Sequence, residues 1–215
     1  MSQPVSETKI SMSDPTALGV FGLALVCLVA SSQKLGWTGG EGPGTVTFLL
    51  PWTIFLGSLA QIWASTIDFK KGNYFGAVAL GTYGLFWMAM AFHWGLNLLA
   101  SSLTWLEPLK IGADTKQVGV AFIGYLIFSI FIMIAAAEAN KCFFAILALI
   151  NVLFFSLAMA SFKVVPAVFS PLAAWSELAI SLIGFYTCGA NFLNNFFGRT
   201  VLSVGKPMGW IRKGA

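Results

Sequence analysis

Gln61 and Ser65 stand four residues apart, as do Tyr83 and Trp87, in stretches built otherwise from apolar side chains. At helical spacing each pair shares one face. An amide or a phenol in such surroundings must find a partner, a water or a solute, so it turns toward the interior of a bundle. Asn151 lies in the middle of another apolar stretch, and Asn191, Asn194 and Asn195 close the last one. Two readings are open for this set. The residues form interhelical hydrogen bonds that hold a bundle together, or Gln61, Tyr83 and Asn151 line a path for a small polar solute. Catalysis has no comparable material, because the chain contains no HExxH, no GxSxG and no P-loop. The single histidine, His93, has no second ligand on its helical face, which argues for an interfacial group rather than a metal ligand. Cys27, Cys142 and Cys188 are odd in number and form no CxxC, so they read as small buried hydrophobes. No enzyme, no metal and no cofactor is expected.

Six apolar runs must position these residues: Leu18–Ser32, Thr47–Ile67, Tyr74–Leu98, Val118–Ala137, Cys142–Phe162 and Leu172–Leu193. About 20 apolar residues wound as a helix span the roughly 30 Å hydrocarbon core of a bilayer. With 58% hydrophobic and 9% charged residues, a soluble domain is excluded. The expected fold is an all-α membrane protein with six transmembrane helices in a channel-like bundle. Residues 1–12 read as a disordered tail, 13–198 as the transmembrane domain, and 199–215 as a loosely ordered basic tail. The polar residues 1–16 and the absence of a basic flank on the first run speak against a cleavable leader.

Ser13 or Asp14 is expected to cap the first helix, with Pro15 at its first position. Gly36–Gly44 reads as a glycine-rich loop, Asp68–Asn73 as a tight polar turn, and Ala100–Gln117 as the longest loop, holding a short surface helix. Ser161–Ser176, with Pro166 and Pro171, reads as the last connection. Gly57, Gly76, Gly81, Gly84 and Gly184 are set where helices pack closely, or where they make room for a path. Placing the N-terminus in the cytoplasm puts Lys9, Lys70, Lys71, Lys141, Arg199, Lys206, Arg212 and Lys213 inside. It leaves Lys34, Lys110, Lys116 and Lys163 outside. Eight cations against four favour both termini cytoplasmic.

Ion pumps and ion-coupled carriers place an acid or an arginine within the membrane. Here the acids and bases are expected near helix ends. The route is therefore narrow, neutral and channel-like, suited to a small neutral acid or to an anion stripped of most of its water at a hydrophobic constriction.

Three segments together resemble one family, the acetate uptake transporters or succinate–acetate permeases. The first is Ser13-Asp14-Pro15-Thr16-Ala17-Leu18-Gly19, similar to the family's Asn-Pro-Ala-Pro-Leu-Gly. The second joins Ala60-Gln61-Ile62-Trp63-Ala64, Asp68-Phe69-Lys70-Lys71-Gly72-Asn73-Tyr74-Phe75-Gly76 and Thr82-Tyr83-Gly84-Leu85-Phe86-Trp87. The third is Phe197-Gly198-Arg199-Thr200-Val201-Leu202, and the resemblance covers about residues 13–205.

The resemblance implies a homo-hexamer with one pore through each protomer and uptake of acetate and related short carboxylates, coupled to protons. It places a constricting triad at Leu23, Tyr83 and Ile150. Only Tyr83 keeps the family's usual residue: Leu23 stands where Phe is usual and Ile150 where Leu is usual. The neck should be wider unless Phe21 or Trp87 fills it. Gln61, Trp87, Asn151, Asp14 and Asn194 are the candidate substrate-binding residues. Asp14 stands where the family has Asn. A carboxylate about 4 Å from another costs roughly 4 kcal/mol at an effective dielectric near 20. Asp14 therefore points away from the path, is protonated, or meets a neutral acid. The expected function is transport of acetate-like carboxylates. A pore for succinate or ammonia, and a membrane sensor that binds an acid without moving it, are the alternatives.

Overall fold

The computed structural model describes residues 12–39, 43–108 and 114–211. Helix α1 is Thr16–Lys34. It begins just after Pro15, and Asp14 Oδ1 accepts a hydrogen bond from the Thr16 N–H at 2.9 Å, satisfying one of the free donors of the first turn. The second rod, α2 (residues 49–71), is composite: Leu49–Trp52 is α-helical, Thr53–Ala60 is π-helical and Gln61–Lys71 is α-helical again. Pro51 is tolerated because it falls in the first turn. Gly72, with φ at 75°, ends the rod in the left-handed conformation that only glycine adopts freely. Asn73 then caps α3, Tyr74–Ser102, its side chain accepting from the Gly76 N–H. Helices α4, Lys116–Ala137, and α5, Lys141–Ser161, follow, with the Asn140 side chain capping α5 through the Phe143 N–H at 2.9 Å. Helix α6 is Pro166–Phe197.

Five of these rods are each long and apolar enough to cross a membrane, and α2 is a sixth rod interrupted by its π-helical turns. The chain is a multi-pass membrane protein. The main packing partners are α1 with α6, α6 with α5, α5 with α4, α2 with α3, and α1 with α2. Helices α3 and α4 are sequence neighbours yet meet only lightly. The rods thus form a ring in the order α3, α2, α1, α6, α5, α4, with a loose seam where it closes. The end holding residues 12–15 and 198–211 is called the terminal end, and the opposite one the far end.

Close approach across the ring depends on glycine. A Cβ on Gly22 would run into the backbone carbonyl oxygen of Leu56 on α2. Backbone cannot swing aside as a side-chain tip can. Gly22→Ala is therefore expected to destabilise the bundle by about 1–3 kcal/mol, read as a lowered midpoint in detergent thermal unfolding. A midpoint equal to that of the parent would show that α1 and α2 can separate freely.

Several sequence expectations change. Helix α6 starts at Pro166 rather than Leu172, because Pro166 occupies the first turn, where its missing N–H costs nothing. Pro171 lies inside the helix. The expected connection shrinks to residues 162–165, and Lys163 and Val165 adopt positive φ angles of 61° and 37°. For a β-branched residue that is a strained conformation. The long loop also shrinks, since α3 runs to Ser102 and a 3₁₀ turn follows at Thr104–Leu106. Its remaining part at 109–113, the N-terminal residues 1–11 and the glycine-rich stretch at 40–42 lie outside the described residues.

The C-terminal segment is docked through Ile211 rather than loosely ordered. Val204 O accepts from the Cys142 N–H, Ala137 O from the Met208 N–H, and Glu138 Oε1 from the Trp210 and Ile211 N–H groups. The Trp210 ring meets Phe144 edge-on at 5.2 Å. The acids are not all near helix ends either. Glu177, inside the sixth apolar run, is fully buried between α6 and α1, where Lys34 Nζ donates to its Oε2 at 2.8 Å.

Candidate functional site

The ring encloses a narrow cavity of about 60 Å³, whose lining runs from the terminal end toward the middle of the bundle. Three parallel helices contribute most of its wall. From the rim inward, α1 offers Thr16, Val20 and Leu23; α3 offers Phe75, Gly76, Ala79, Leu80 and Tyr83; α5 offers Phe143, Ile146, Leu147 and Ile150. Asn73 stands at the rim and Gln61 of α2 completes the wall. At the deep end Leu23, Tyr83 and Ile150 come together, all buried. One turn further along the same helices, Cys27, Phe86, Trp87 and Phe154 are buried too and close the space above. Phe86 meets Trp87, Tyr125 and Phe154 edge-on at 5.0–5.2 Å, so this plug is aromatic.

Two deep polar side chains break an otherwise apolar wall. The Tyr83 hydroxyl is hydrogen bonded to Ser129 Oγ of α4 at 2.8 Å, and its ring stacks on Phe154. The phenol is thereby tied to the α4 side of the ring. Gln61 is fully buried, and its Nε2 donates to the Gly57 carbonyl at 2.7 Å. That carbonyl fixes the amide orientation, since only the NH₂ end can face it. Gln61 Oε1 is left without a partner. The π-helical turns end at Ala60, immediately before Gln61, and such turns place side chains off the regular helical register.

The remaining candidates lie elsewhere. Trp87 packs in the plug beside Trp94 and against Gly57, not in the cavity wall. Asn151 turns toward α4, its Nδ2 donating to Met133 Sδ at 3.2 Å. Asn194 braces the docked C-terminal segment: Oδ1 accepts from the Val201 and Leu202 N–H groups, and Nδ2 donates to Leu202 O. Asp14 sits outside the wall, beside Thr16. Burial works to raise its carboxyl, but hydrogen bonds from Thr16 and Asn195 and the charge of Lys71 outweigh it and hold the group below the ordinary carboxylate range. Its folded value lies under its unfolded one. The Asp14 contacts therefore contribute stability above the ordinary range and lose it as pH falls through the folded value. Phe21 does not replace the missing ring at Leu23, as it pairs with Phe185 of α6 at 6.2 Å.

Sequence reasoning missed Asp68. Its carboxyl is fully buried, and neither oxygen has a hydrogen-bond partner. The available signal was its place at the end of an apolar run, directly before the turn into α3.

The profile of the GPR1/FUN34/yaaH family matches residues 2–204. The chain belongs to this family. It is 27% identical over 195 residues to the succinate-acetate/proton symporter SatP of Escherichia coli, covering 91% of this chain and 96% of that one. It is 26% identical over 181 residues to the glyoxylate pathway regulator of Yarrowia lipolytica, covering 84% of this chain and 64% of that one. The solved structure of the bacterial acetate channel SatP superimposes with a TM-score of 0.76 at 25% identity, over 91% of this chain and all of that one.

Proposed function

We propose that this protein conducts acetate and related short carboxylic acids across the membrane, and that they cross the collar of Leu23, Tyr83 and Ile150 as neutral acids. The observation that carries this reading is the cavity itself, whose deep wall is apolar save for the tied Tyr83 hydroxyl and for Gln61, whose Oε1 has no donor. A protonated acid brings the O–H that this oxygen lacks. A carboxylate brings only acceptors and would lose its hydration with nothing in return. At roughly 10–15 Å³ per water on this measure, the space suits a solute of few heavy atoms, as acetic acid is. An ionised Asp14 at the rim is consistent with a neutral solute. The relatives named for succinate, acetate and protons support the same substrate class. The protein is not proposed to be an enzyme. It is proposed to act as a homo-hexamer with one path per protomer and with both termini in the cytoplasm, in keeping with the excess of cations at the terminal end.

Labelled-acetate uptake into proteoliposomes, with and without a proton gradient, tests this. Uptake should fall about tenfold per pH unit above the pKa of the acid, and formate and succinate should compete. Gln61→Leu should lower acetate uptake about tenfold, the worth of one hydrogen bond of roughly 1.4 kcal/mol. Ammonia is also a donor that Gln61 Oε1 would accept. Ammonia flux without acetate flux would favour that solute, and acetate binding without flux would favour a sensor.

A further inference from the structure

Asp68 closes the last turn of α2, and the Gly72 turn folds α3 back so that its first turn covers the Asp68 side chain. The backbone carbonyl of Asp68 accepts from the Asn73 N–H at 2.9 Å, which holds the turn shut. A Cβ placed on Gly76 would collide with Asp68 Oδ2 and with Asn73 Nδ2. Both Gly76 and Asn73 belong to the cavity wall. Lacking a Cβ, the glycine lets the carboxyl of Asp68 and the amide of Asn73 fill the space directly beside the wall near the rim. Both Asp68 oxygens are buried, with the Asn73 amide as the neighbouring donor but no well-formed hydrogen bond to either.

We propose that this point of the wall is a proton-sharing site, in which the carboxyl of Asp68, held directly behind Gly76, and the carboxyl of the transported acid hold one proton between them. The inference rests on the reading that short acids pass this cavity. Two carboxylates brought to hydrogen-bond distance away from water do not both stay ionised. An incoming carboxylate meeting protonated Asp68, and an incoming acid meeting ionised Asp68, are therefore the same complex. In it the O–H bond of one acid breaks as the O–H bond of the other forms, with one proton and one negative charge present throughout. When the substrate moves deeper it takes the proton, because Gln61 Oε1 ahead of it is again an acceptor. Asp68 is left ionised and regains a proton from water at the rim. The charged groups that face Asp68 are Asp14, from the segment before α1, and Lys71 on its own helix. The Asn73 amide, which caps α3, and the Gly76 backbone of its first turn also approach it. Lys71 offsets the fixed charge of Asp14, so the variable charge at the rim is the one shared between Asp68 and the substrate. Asp68 is in this sense a specificity-determining residue, admitting one proton with each acid.

The test uses the full chain in proteoliposomes, with labelled acetate, a lumenal pH dye and a potential clamped by potassium and valinomycin. The parent should move one proton per acetate, with uptake indifferent to the potential. Asp68→Asn presents an amide that takes acid or anion alike. An interior-positive potential of about 60 mV should then raise its acetate accumulation about tenfold, with less than one proton per acetate. Asp68→Glu should behave as the parent. If Asp68→Asn does not fold, Gly76→Ala displaces only side-chain tips, pushes the carboxyl from the wall and should show the same sensitivity. Voltage-indifferent uptake with parental stoichiometry in the folded variant overturns the proposal and leaves the transport reading standing. Absence of acetate uptake by the parent overturns the transport reading itself.

Discussion

Lys34→Met is expected to destabilise the bundle by about 3–5 kcal/mol. Glu177 is 1% exposed, and Lys34, 24% exposed at the last turn of α1, is its cation at 2.8 Å. Removing one partner of a buried pair leaves the other charge without compensation, and that costs more than the pair ever contributed. Among the described residues, Lys34 is the cation that acts on Glu177. The same argument fixes the control. Glu177→Leu together with Lys34→Met removes both charges and should recover most of the loss, because a well-packed apolar pair is tolerated where a lone ion is not. Chemical denaturation in micelles, arranged as a double-mutant cycle, reads the coupling. Additive losses for the two substitutions would mean that the ion pair is ornamental and that α1 and α6 are held by packing alone.

Tyr83→Ala should have the largest effect on selectivity. The ring forms one third of the collar, is held to α4 by Ser129 and stacks on Phe154. Deleting a buried aromatic side chain costs about 3–5 kcal/mol of stability, so the variant must first be shown to remain assembled. Where it does, the cavity gains the volume of the phenol at its narrowest point. The next turn already holds Phe86, Trp87 and Phe154, which limits how far the plug can relax into the space. Acids larger than acetate should then pass at rates close to acetate, removing a discrimination of about 1–3 kcal/mol per methylene. Uptake of acetate, propionate and butyrate side by side is the measurement. A size preference that survives in the alanine variant would place the constriction elsewhere, in the aromatic plug itself.

The membrane class, the six rods and the turn at Asp68–Asn73 were legible because each is local. A rod in lipid must satisfy its own backbone, so length and apolarity suffice to reveal it. The first helix start was equally plain, since Asp14 supplies a side-chain oxygen to the Thr16 N–H; the caps at Asn73 and Asn140 were not singled out. The composite α2 was not, because π-helical turns carry no distinctive composition. The start of α6 was misread by weighting Pro166 and Pro171 as breakers, although a proline in a first turn breaks nothing.

Residue by residue, sequence reading could say that Gln61, Tyr83, Asn151 and Asn194 must each find a partner. Only the folded ring decided which partner: a cavity for Gln61, Ser129 for Tyr83, Met133 for Asn151 and the C-terminal segment for Asn194. The physical reason is that lipid and bundle interior are both apolar. The hydrophobic stripe that reveals the buried face of a soluble helix is therefore absent here. The pairing of Lys34 with Glu177, 143 residues away, and the unpartnered carboxyl of Asp68 behind Gly76 belong to the same category. Composition determined that this chain lives in a bilayer. Close packing between helices distant in sequence determined where its few polar atoms meet.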